Sequence, residues 1–278
     1  MPTNREVYFE LLKKNNEYLT KSTIVTLLMD ASGFDDRMKF YSHFNDEAKN
    51  YAKLQQNAER VANGEPLQYV LGYAYFLGDK YIVNPDVLIP RQETEQLVIE
   101  TSLYIKKLFS GEEDFVLADV CTGSGCIAAS LKKQFKGSKV YASDISKECL
   151  KVASKNTKDL DIELIEGNLL DPFIEREIKL DVLVCNPPYI GDVKTIDKQV
   201  YKYEPHLALL ASPSTKFYEE LFQKMPEAMN ETHYLATFEI GEDMDEELTN
   251  LVEKYFKEVR YKIAKDMYGK SRFLYIIK

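Results

Sequence analysis

Cysteine and histidine are scarce in this chain, with four cysteines and three histidines among 278 residues. No Cys-x-x-Cys pair and no Cys/His cluster occurs, so the usual patterns of a zinc site are excluded and we expect no metal. The cysteines are predicted to be reduced, mostly buried thiols, as in a cytosolic protein. All of them fall in one part of the chain: Cys121, Cys126, Cys149 and Cys185.

Long apolar runs and a basic charge balance are also lacking. No run approaches the ~18 apolar residues of a membrane span, and the first residues lack the apolar core of a signal peptide, so we expect a soluble, cytoplasmic protein. The formal net charge is −9. Proteins that work on duplex nucleic acid normally present a basic face, so this charge favours a protein or small-molecule partner, although a local basic groove stays open.

Glycine and proline are few, at 12 and 10, while apolar residues make up 45% of the chain. This composition excludes a low-complexity protein and is enough for a real core. The length suits one large domain with a smaller one. Nothing in the sequence indicates an assembly, and we expect a monomer.

The residue pattern divides the chain into three parts. Residues 1 to about 63 are polar with a helical period, which predicts a bundle of four or five helices. Aromatics and glycines follow, and alternation predicts a hairpin near residues 81–88, before a helix that Thr94 or a neighbour can cap. We place the boundaries at residues 1–78 for the helical domain, 79–95 for the hairpin linker and 96–278 for the main domain.

Strands alternate with helices from Phe115 onward, which is typical of an α/β fold with a parallel sheet and crossover helices. The last two strands are joined by a short connection and are predicted to form an antiparallel edge. The predicted strands are residues 115–120, 140–143, 162–165, 182–185, 234–240, about 259–263 and 273–277.

The strongest chemical signal directly follows the buried strand 182–185: Asn186, Pro187, Pro188 and Tyr189. Two prolines end the strand because neither can donate an N–H, so Asn186 is held at a carboxyl end, where open α/β sheets place their ligands. The Asn186 amide and the Pro187 carbonyl can grip a planar –NH2 group. Tyr189 supplies a flat face for stacking. A plain proline turn beside a core tyrosine is the alternative.

A glycine turn follows the first strand of the main domain and lets the backbone approach a ligand closely. No Gly-Lys-Ser/Thr follows, so it is not a P-loop, and the dinucleotide fingerprint lacks its third glycine. Alone, the turn indicates only a nucleotide-like ligand. It comprises Cys121, Thr122, Gly123, Ser124 and Gly125.

Other polar residues at strand ends raise the odds of an adenosine site. Asp144 ends the second strand, where a carboxylate accepts both hydroxyls of a ribose, although a plain helix cap is the alternative. Asn168 ends the third strand, where an amide can recognise an adenine edge. Asp119 could orient the turn and balance a ligand ammonium group. Because no pyrophosphate grip exists, S-adenosylmethionine fits better than NAD.

Together these residues resemble the class I S-adenosylmethionine-dependent methyltransferases that act on planar nitrogens. That group includes DNA adenine enzymes, ribosomal RNA guanine enzymes and the release factor glutamine methyltransferases (the HemK/PrmC family). Further segments are similar to the last of these, and the resemblance spans nearly the whole chain. These segments are residues 66–72, Pro-Leu-Gln-Tyr-Val-Leu-Gly; 88–95, Leu-Ile-Pro-Arg-Gln-Glu-Thr-Glu; 204–209, Glu-Pro-His-Leu-Ala-Leu; 239–241, Glu-Ile-Gly; and 266–272, Asp-Met-Tyr-Gly-Lys-Ser-Arg.

The resemblance implies a Rossmann-like, seven-stranded methyltransferase sheet behind a small helical domain that docks the substrate protein. It implies methyl transfer to the glutamine of the Gly-Gly-Gln motif of peptide chain release factors, which modulates translation termination. The catalytic residues would be Asn186, Pro187 and Tyr189, and Pro188 would join them in binding substrate. No general base and no metal would be required.

The chain departs from the family pattern at several positions. Cys121 stands where glycine is usual, Gln92 replaces a proline, and Leu169 sits where an aromatic often covers the adenine. These changes bear on cofactor affinity rather than on the reaction class. Two rivals stay open: a DNA or RNA amino-methyltransferase acting on a flipped base, and a nonenzymatic scaffold with a degenerate fold. We expect no direct contact with nucleic acid.

Overall fold

Helices occupy the first part of the chain, as its 3.6-residue period predicts. The computed structural model describes residues 1–109 and 114–278, and its first compact unit is Met1–Tyr73. Thr3 begins the first helix with a capping box, because its hydroxyl accepts from the Glu6 amide while the Glu6 carboxylate accepts from the Thr3 amide. The helices are α1 Asn4–Lys13, α2 Lys21–Ser32, α3 Arg37–Ser42, α4 Tyr51–Ala62 and α5 Leu67–Leu71.

The hairpin lies several residues earlier than the sequence predicts. Its strands are β1, Tyr73–Phe76, and β2, Asp79–Ile82, instead of residues 81–88. The turn between them uses Leu77 at φ 50° and Gly78 at φ 82°. Two-residue hairpin turns favour positive φ at both positions, and a leucine there gives no sequence signal. The Leu77 amide is satisfied by the Glu95 side chain at 2.7 Å.

The second compact unit, Ala74–Lys278, is built on a seven-stranded sheet. The strands are β3 Val116–Val120, β4 Lys139–Asp144, β5 Ile162–Glu166, β6 Val182–Cys185, β7 Leu235–Glu239, β8 Arg260–Lys265 and β9 Ser271–Ile277. Their order across the sheet is β5-β4-β3-β6-β7-β9-β8. Only β9 runs against its neighbours, so the predicted antiparallel pair is confirmed. The edge itself is β8, because β9 inserts between β7 and β8.

Helices cover both faces of this sheet. They are α6 Gln92–Leu108, α7 Cys126–Gln134, α8 Lys147–Thr157, α9 Asp171–Glu175, α11 Lys216–Ala228 and α12 Asp245–Tyr255. A further helix, α10 Lys198–Tyr203, has no buried residue. Strand β6 illustrates the layering, since Leu183 packs into one hydrophobic cluster and Val184 into the other. Within the two described ranges, no helix is both long enough and apolar enough to cross a membrane.

The strand order places a crevice next to Asn186. From β3 the chain proceeds outward through β4 to β5, then returns to lay β6 on the other side of β3. Such a switch point leaves a gap at the carboxyl ends of the two central strands, where ligands bind in open α/β sheets. In register, Val120 lies opposite Cys185, so the glycine turn and Asn186 leave the sheet side by side.

Candidate functional site

A cavity of about 310 Å³ opens at this switch point, within the second unit. Its size falls in the range of small-molecule sites. It gathers eight of the ten predicted cofactor-binding residues: Cys121, Thr122, Gly123, Ser124, Asp144, Asn168, Leu169 and Asn186. Asp119 and Gly125, the other two, do not line it.

Asp119 lies fully buried behind the turn and holds it in shape. Its Oδ2 accepts from the Thr122 hydroxyl at 2.6 Å and from the Ala128 amide at 3.0 Å. Its Oδ1 is buried without a hydrogen-bond partner among the described residues. Burial raises the pKa of this carboxyl to about 7. Asp119 therefore orients the turn through Oδ2, while its Oδ1 accepts no hydrogen bond from the described residues.

Replacing Asp119 by asparagine is expected to change the pH dependence of stability. The carboxyl of the folded chain titrates near 7 and that of the unfolded chain near its ordinary ~3.9. Ionisation therefore lowers the free energy of unfolding as pH rises between these values, and the full penalty applies above about 7. In urea titrations from pH 4 to 8, the free energy of unfolding of Asp119→Asn should rise relative to that of wild type by a few kcal/mol, at about 1.4 kcal/mol per pKa unit. A constant difference would contradict the assignment.

The turn itself depends on residues with positive φ. Gly125 has a φ of 79°, and a Cβ there would lie 3.2 Å from the Ala153 Cβ and 3.3 Å from the Thr157 Cγ2. Gly125 thus lets α8 pack closely against the turn. Cys121 has a φ of 63°, a region that glycine occupies without strain. The cysteine retains the left-handed geometry that a glycine would adopt.

Asp144 connects the turn to the end of β4. Its Oδ2 accepts from the Gly123 amide at 3.0 Å and its Oδ1 from the Ser146 amide at 2.9 Å. Burial, the largest influence, raises the pKa of this carboxyl. Each oxygen keeps a further lone pair, so the carboxylate can still accept from a ligand hydroxyl. Its predicted ribose contact is compatible with this arrangement and stays a prediction.

Asn168 and Leu169 form the cavity wall at the end of β5. Asn168 Nδ2 donates to the Asp171 carboxylate at 3.3 Å. Leu169 adopts a φ of 49° and is almost fully buried, in the same hydrophobic cluster as Leu170 and Phe173. This position therefore offers the cavity an aliphatic surface rather than an aromatic ring.

The segment after β6 divides between the cavity and the protein interior. Asn186 and Pro188 line the cavity, whereas Pro187 and Tyr189 do not. Tyr189 packs against the hydrophobic cluster of α11 and β7, and its hydroxyl donates to Glu239 Oε1 at 3.3 Å. Burial, reinforced by Glu239, raises the pKa of Tyr189 above its usual range. The stacking role of Tyr189 stays a prediction.

Sequence reasoning missed the hydrogen bond that the Asn186 side chain makes within the protein. Its Nδ2 donates to the Thr94 hydroxyl at 3.3 Å, and that hydroxyl donates to Glu239 Oε2 at 2.6 Å. The prediction that Thr94 or a neighbour caps α6 with its side chain is wrong, since the N-cap is Arg91 and makes no side-chain cap bond. The hydroxyl is engaged 145 residues along the chain, which no local pattern reveals.

The segment before α6 supplies another wall that only the resemblance hinted at. Arg91 lines the cavity and donates to Glu204 Oε1 at 2.6 Å, while the Ile89 amide donates to Glu204 Oε2 at 3.2 Å. His206 is exposed instead, stacked on Tyr201 with its Nε2 2.7 Å from the Tyr201 carbonyl. Glu204 and His206 therefore both make contacts within the protein. Ile145, an exposed apolar residue next to Asp144, also lines the cavity.

The acidic and apolar groups that line the cavity suit an adenosine-bearing ligand with a cationic end. Carboxylates at Asp86, Asp144 and Glu148 line the cavity beside the apolar Ile145 and Phe217. Ligand hydroxyl groups can donate to the carboxylates, and a planar base can lie on the apolar side chains. Among the described residues, no group of three or more metal-binding side chains is present.

Residues 95–202 match the family Methyltransferase small domain. A methyltransferase from Pyrococcus furiosus has the same fold, with a TM-score of 0.51, 18% identity, and coverage of 82% of this chain and 96% of its own. The fold is that of a class I methyltransferase.

Curated relatives narrow the assignment. The release factor glutamine methyltransferase of Bacillus subtilis (strain 168) is 35% identical over 277 residues, 95% of either chain. That of Leptospira interrogans is 35% identical over 285 aligned positions, covering 96% of this chain and 97% of its own. The chain belongs to the release factor glutamine methyltransferase family.

Proposed function

We propose that this chain transfers a methyl group from S-adenosylmethionine to the side-chain amide nitrogen, N5, of the glutamine in the Gly-Gly-Gln motif of peptide chain release factors. One observation carries the proposal: Asn186 borders the cavity beside the glycine turn while its Nδ2 is engaged by Thr94. The amide oxygen is thereby left to accept from an incoming –NH2 group. The names of the curated relatives support the same substrate.

The cavity residues would hold the cofactor as follows. Asp144 would accept from the ribose hydroxyls, Asn168 would contact the adenine edge, and Leu169 would pack on the base. The orphan Oδ1 of Asp119 would balance the ammonium group through the turn. When bound, S-adenosylmethionine supplies an electrophilic methyl group on a positively charged sulfur, and S-adenosylhomocysteine is the product.

The chain's own residues would prepare the glutamine nitrogen. An amide nitrogen is a poor nucleophile because its lone pair is delocalised into the carbonyl. Hydrogen bonds from –NH2 to Asn186 Oδ1 and to the Pro187 carbonyl would orient the nitrogen and stabilise positive charge developing on it. Tyr189 would restrain the amide plane. The extra proton can leave to water after transfer, so no strong general base is needed.

The partner would be a protein, and the first 73 residues would help to dock it. Release factors act in translation, which would place the reaction in the cytoplasm. The enzyme would act as a monomer, as the sequence predicts. The acidic net charge of −9 speaks against a nucleic acid substrate. The amino-methyltransferase rival nevertheless shares the same chemistry, so the test must include it.

The experiment is methyl transfer from labelled S-adenosylmethionine to a purified release factor. Its matched control is the same factor with the glutamine of Gly-Gly-Gln replaced, and duplex DNA and ribosomal RNA are parallel acceptors. We expect label on the unaltered factor only. Label on nucleic acid would support the rival function, methylation of a DNA or RNA base. Label on both forms of the factor would refute the glutamine assignment.

A further inference from the structure

Asn186 is the first member of a chain of polar contacts that begins at the cavity, which Thr94 also lines, and ends at Glu239, which does not line it. Its Nδ2 lies 3.3 Å from Thr94 Oγ1, and Thr94 Oγ1 lies 2.6 Å from Glu239 Oε2. Thr94 and Glu239 are both buried. In register, Cys185 pairs with Phe238, so Asn186 and Glu239 leave neighbouring parallel strands at the same level, with α6 above them.

The direction of these bonds follows from counting protons. A threonine hydroxyl has one proton, and a carboxylate can only accept. The short Thr94–Glu239 contact therefore uses the hydroxyl proton, and Thr94 can offer Asn186 only a lone pair. Asn186 must then present its –NH2 to Thr94 and direct its carbonyl oxygen elsewhere. A carboxylate 145 residues distant from Thr94 in sequence thus determines which way the Asn186 amide faces.

Glu239 is held as the fixed end of this chain. Its Oε1 accepts from the Tyr189 hydroxyl at 3.3 Å, and its backbone carbonyl accepts from the Tyr218 hydroxyl at 2.6 Å. Burial raises the pKa of the carboxyl, whereas the Thr94 hydrogen bond and the charge of Arg272 lower it. Arg272 is itself anchored to Asp266 at 3.4 Å. Burial is the largest of these influences, so the pKa of Glu239 is raised overall, and the Thr94 and Tyr189 hydroxyls and the Arg272 charge limit that rise.

We propose that Thr94 and Glu239 are positioning residues that lock the Asn186 amide with its oxygen facing the substrate nitrogen. This inference rests on the proposed function, because it concerns the acceptor that would orient the glutamine –NH2. The two ends of the Asn186 amide are nearly equal in shape, so without Thr94 and Glu239 the amide could also bind reversed. The reversed amide would direct its –NH2 group at the –NH2 group of the substrate glutamine, where neither can accept a hydrogen bond. The defect that tests the inference is in the rate of transfer, in addition to the stability that is lost with the hydrogen bond to the buried Glu239.

Thr94→Val tests the lock by removing the hydroxyl while keeping the shape. We expect kcat for release factor methylation to fall about 10- to 100-fold, without a matching rise in the KM for the release factor. Cofactor affinity by calorimetry should change far less than kcat, because valine keeps the shape of a side chain that lines the cavity. Thr94→Ser restores the hydroxyl and should restore the rate. Thr101→Val is the matched control, because Thr101 lies on the same helix and donates to Thr237 on the same strand at 3.1 Å. It should lower stability but not kcat.

A second measurement needs no substrate. The Asn186 side-chain –NH2 signals in ¹H–¹⁵N spectra can be assigned by their loss in Asn186→Ala. One proton should appear downfield in wild type, Thr94→Ser and Thr101→Val, and move upfield in Thr94→Val. In Glu239→Gln the new –NH2 group can donate to the Thr94 oxygen, which frees the Thr94 hydroxyl proton to donate to Asn186. This variant should therefore cause the same upfield shift.

These two measurements separate the inference from the proposed function. If wild type leaves the release factor unlabelled, the proposed function fails while the spectra still decide the lock. Asn186 signals that are identical in wild type, Thr94→Val and Glu239→Gln would overturn the lock even if methylation is robust. So would a Thr94→Ser variant as slow as Thr94→Val, or equal rate losses in Thr94→Val and Thr101→Val.

Discussion

Replacing Asn186 by alanine should lower methyl transfer to the release factor by about 100-fold or more at saturating cofactor. The side chain has one hydrogen bond in the structure, to Thr94, and it is not part of the hydrophobic clusters. Its removal should therefore leave folding intact and take away an acceptor needed when charge develops on the glutamine nitrogen. Single-turnover kinetics with labelled S-adenosylmethionine, alongside thermal unfolding, would measure both consequences.

The matched control is Asn168→Ala, the same substitution at the carboxyl end of β5. It should weaken cofactor affinity by removing the contact proposed for the adenine edge, and it should keep most of the transfer rate once the cofactor saturates. Opposite behaviour, with Asn168→Ala slow at saturation and Asn186→Ala fast, would exchange the roles assigned to the two amides.

Replacing Arg91 by methionine should lower the free energy of unfolding by about 2–3 kcal/mol. The Glu204 side chain is 2% exposed and pairs with Arg91 at 2.6 Å, so the substitution leaves a buried carboxylate without its cation. The pair joins two walls of the cavity, because Arg91 and Pro205 both line it. Cofactor affinity should therefore fall together with stability. Urea unfolding and calorimetric titration with S-adenosylmethionine would measure the two effects.

Arg60→Met provides the comparison for this prediction. Arg60 pairs with Glu65 at a more exposed site, where the two side chains are 42% and 21% exposed. Its loss should change stability by no more than about 1 kcal/mol, since solvent screens exposed pairs. The double variant Arg91→Met/Glu204→Leu should recover part of the loss at Arg91, because no buried charge then remains. Equal losses for Arg91→Met and Arg60→Met would contradict the burial argument.

Patterns of neighbouring residues predicted the main domain well. Strand β6 was expected at residues 182–185 and is found at Val182–Cys185. A run of apolar residues ended by Asn186 and two prolines leaves the chain little choice there, since prolines cannot continue the hydrogen-bonded ladder. The alternation of strands and helices likewise predicted a parallel sheet, and that order is observed.

Patterns failed where a conformation or a partner came from outside the local window. The hairpin was misplaced because Leu77 adopts a positive φ that its residue type disfavours. Thr94 was taken for a cap because helix ends select such residues locally, whereas its hydroxyl bonds to Glu239. The position of β9 between β7 and β8 depends on strand pairing across the sheet, which the hydrophobic pattern alone does not specify.

The sequence by itself therefore determined the class of fold, the glycine turn, and the place of Asn186 at a strand end, since each depends on residues close together in the chain. Only the tertiary structure decided what surrounds the Asn186 amide. Thr94 lies 92 residues from Asn186 and reaches it through α6, while Glu239 reaches Thr94 from the neighbouring strand. Such bonds form because packing brings α6 and the two strand ends together. The local sequence around each residue does not indicate which distant residue it will contact.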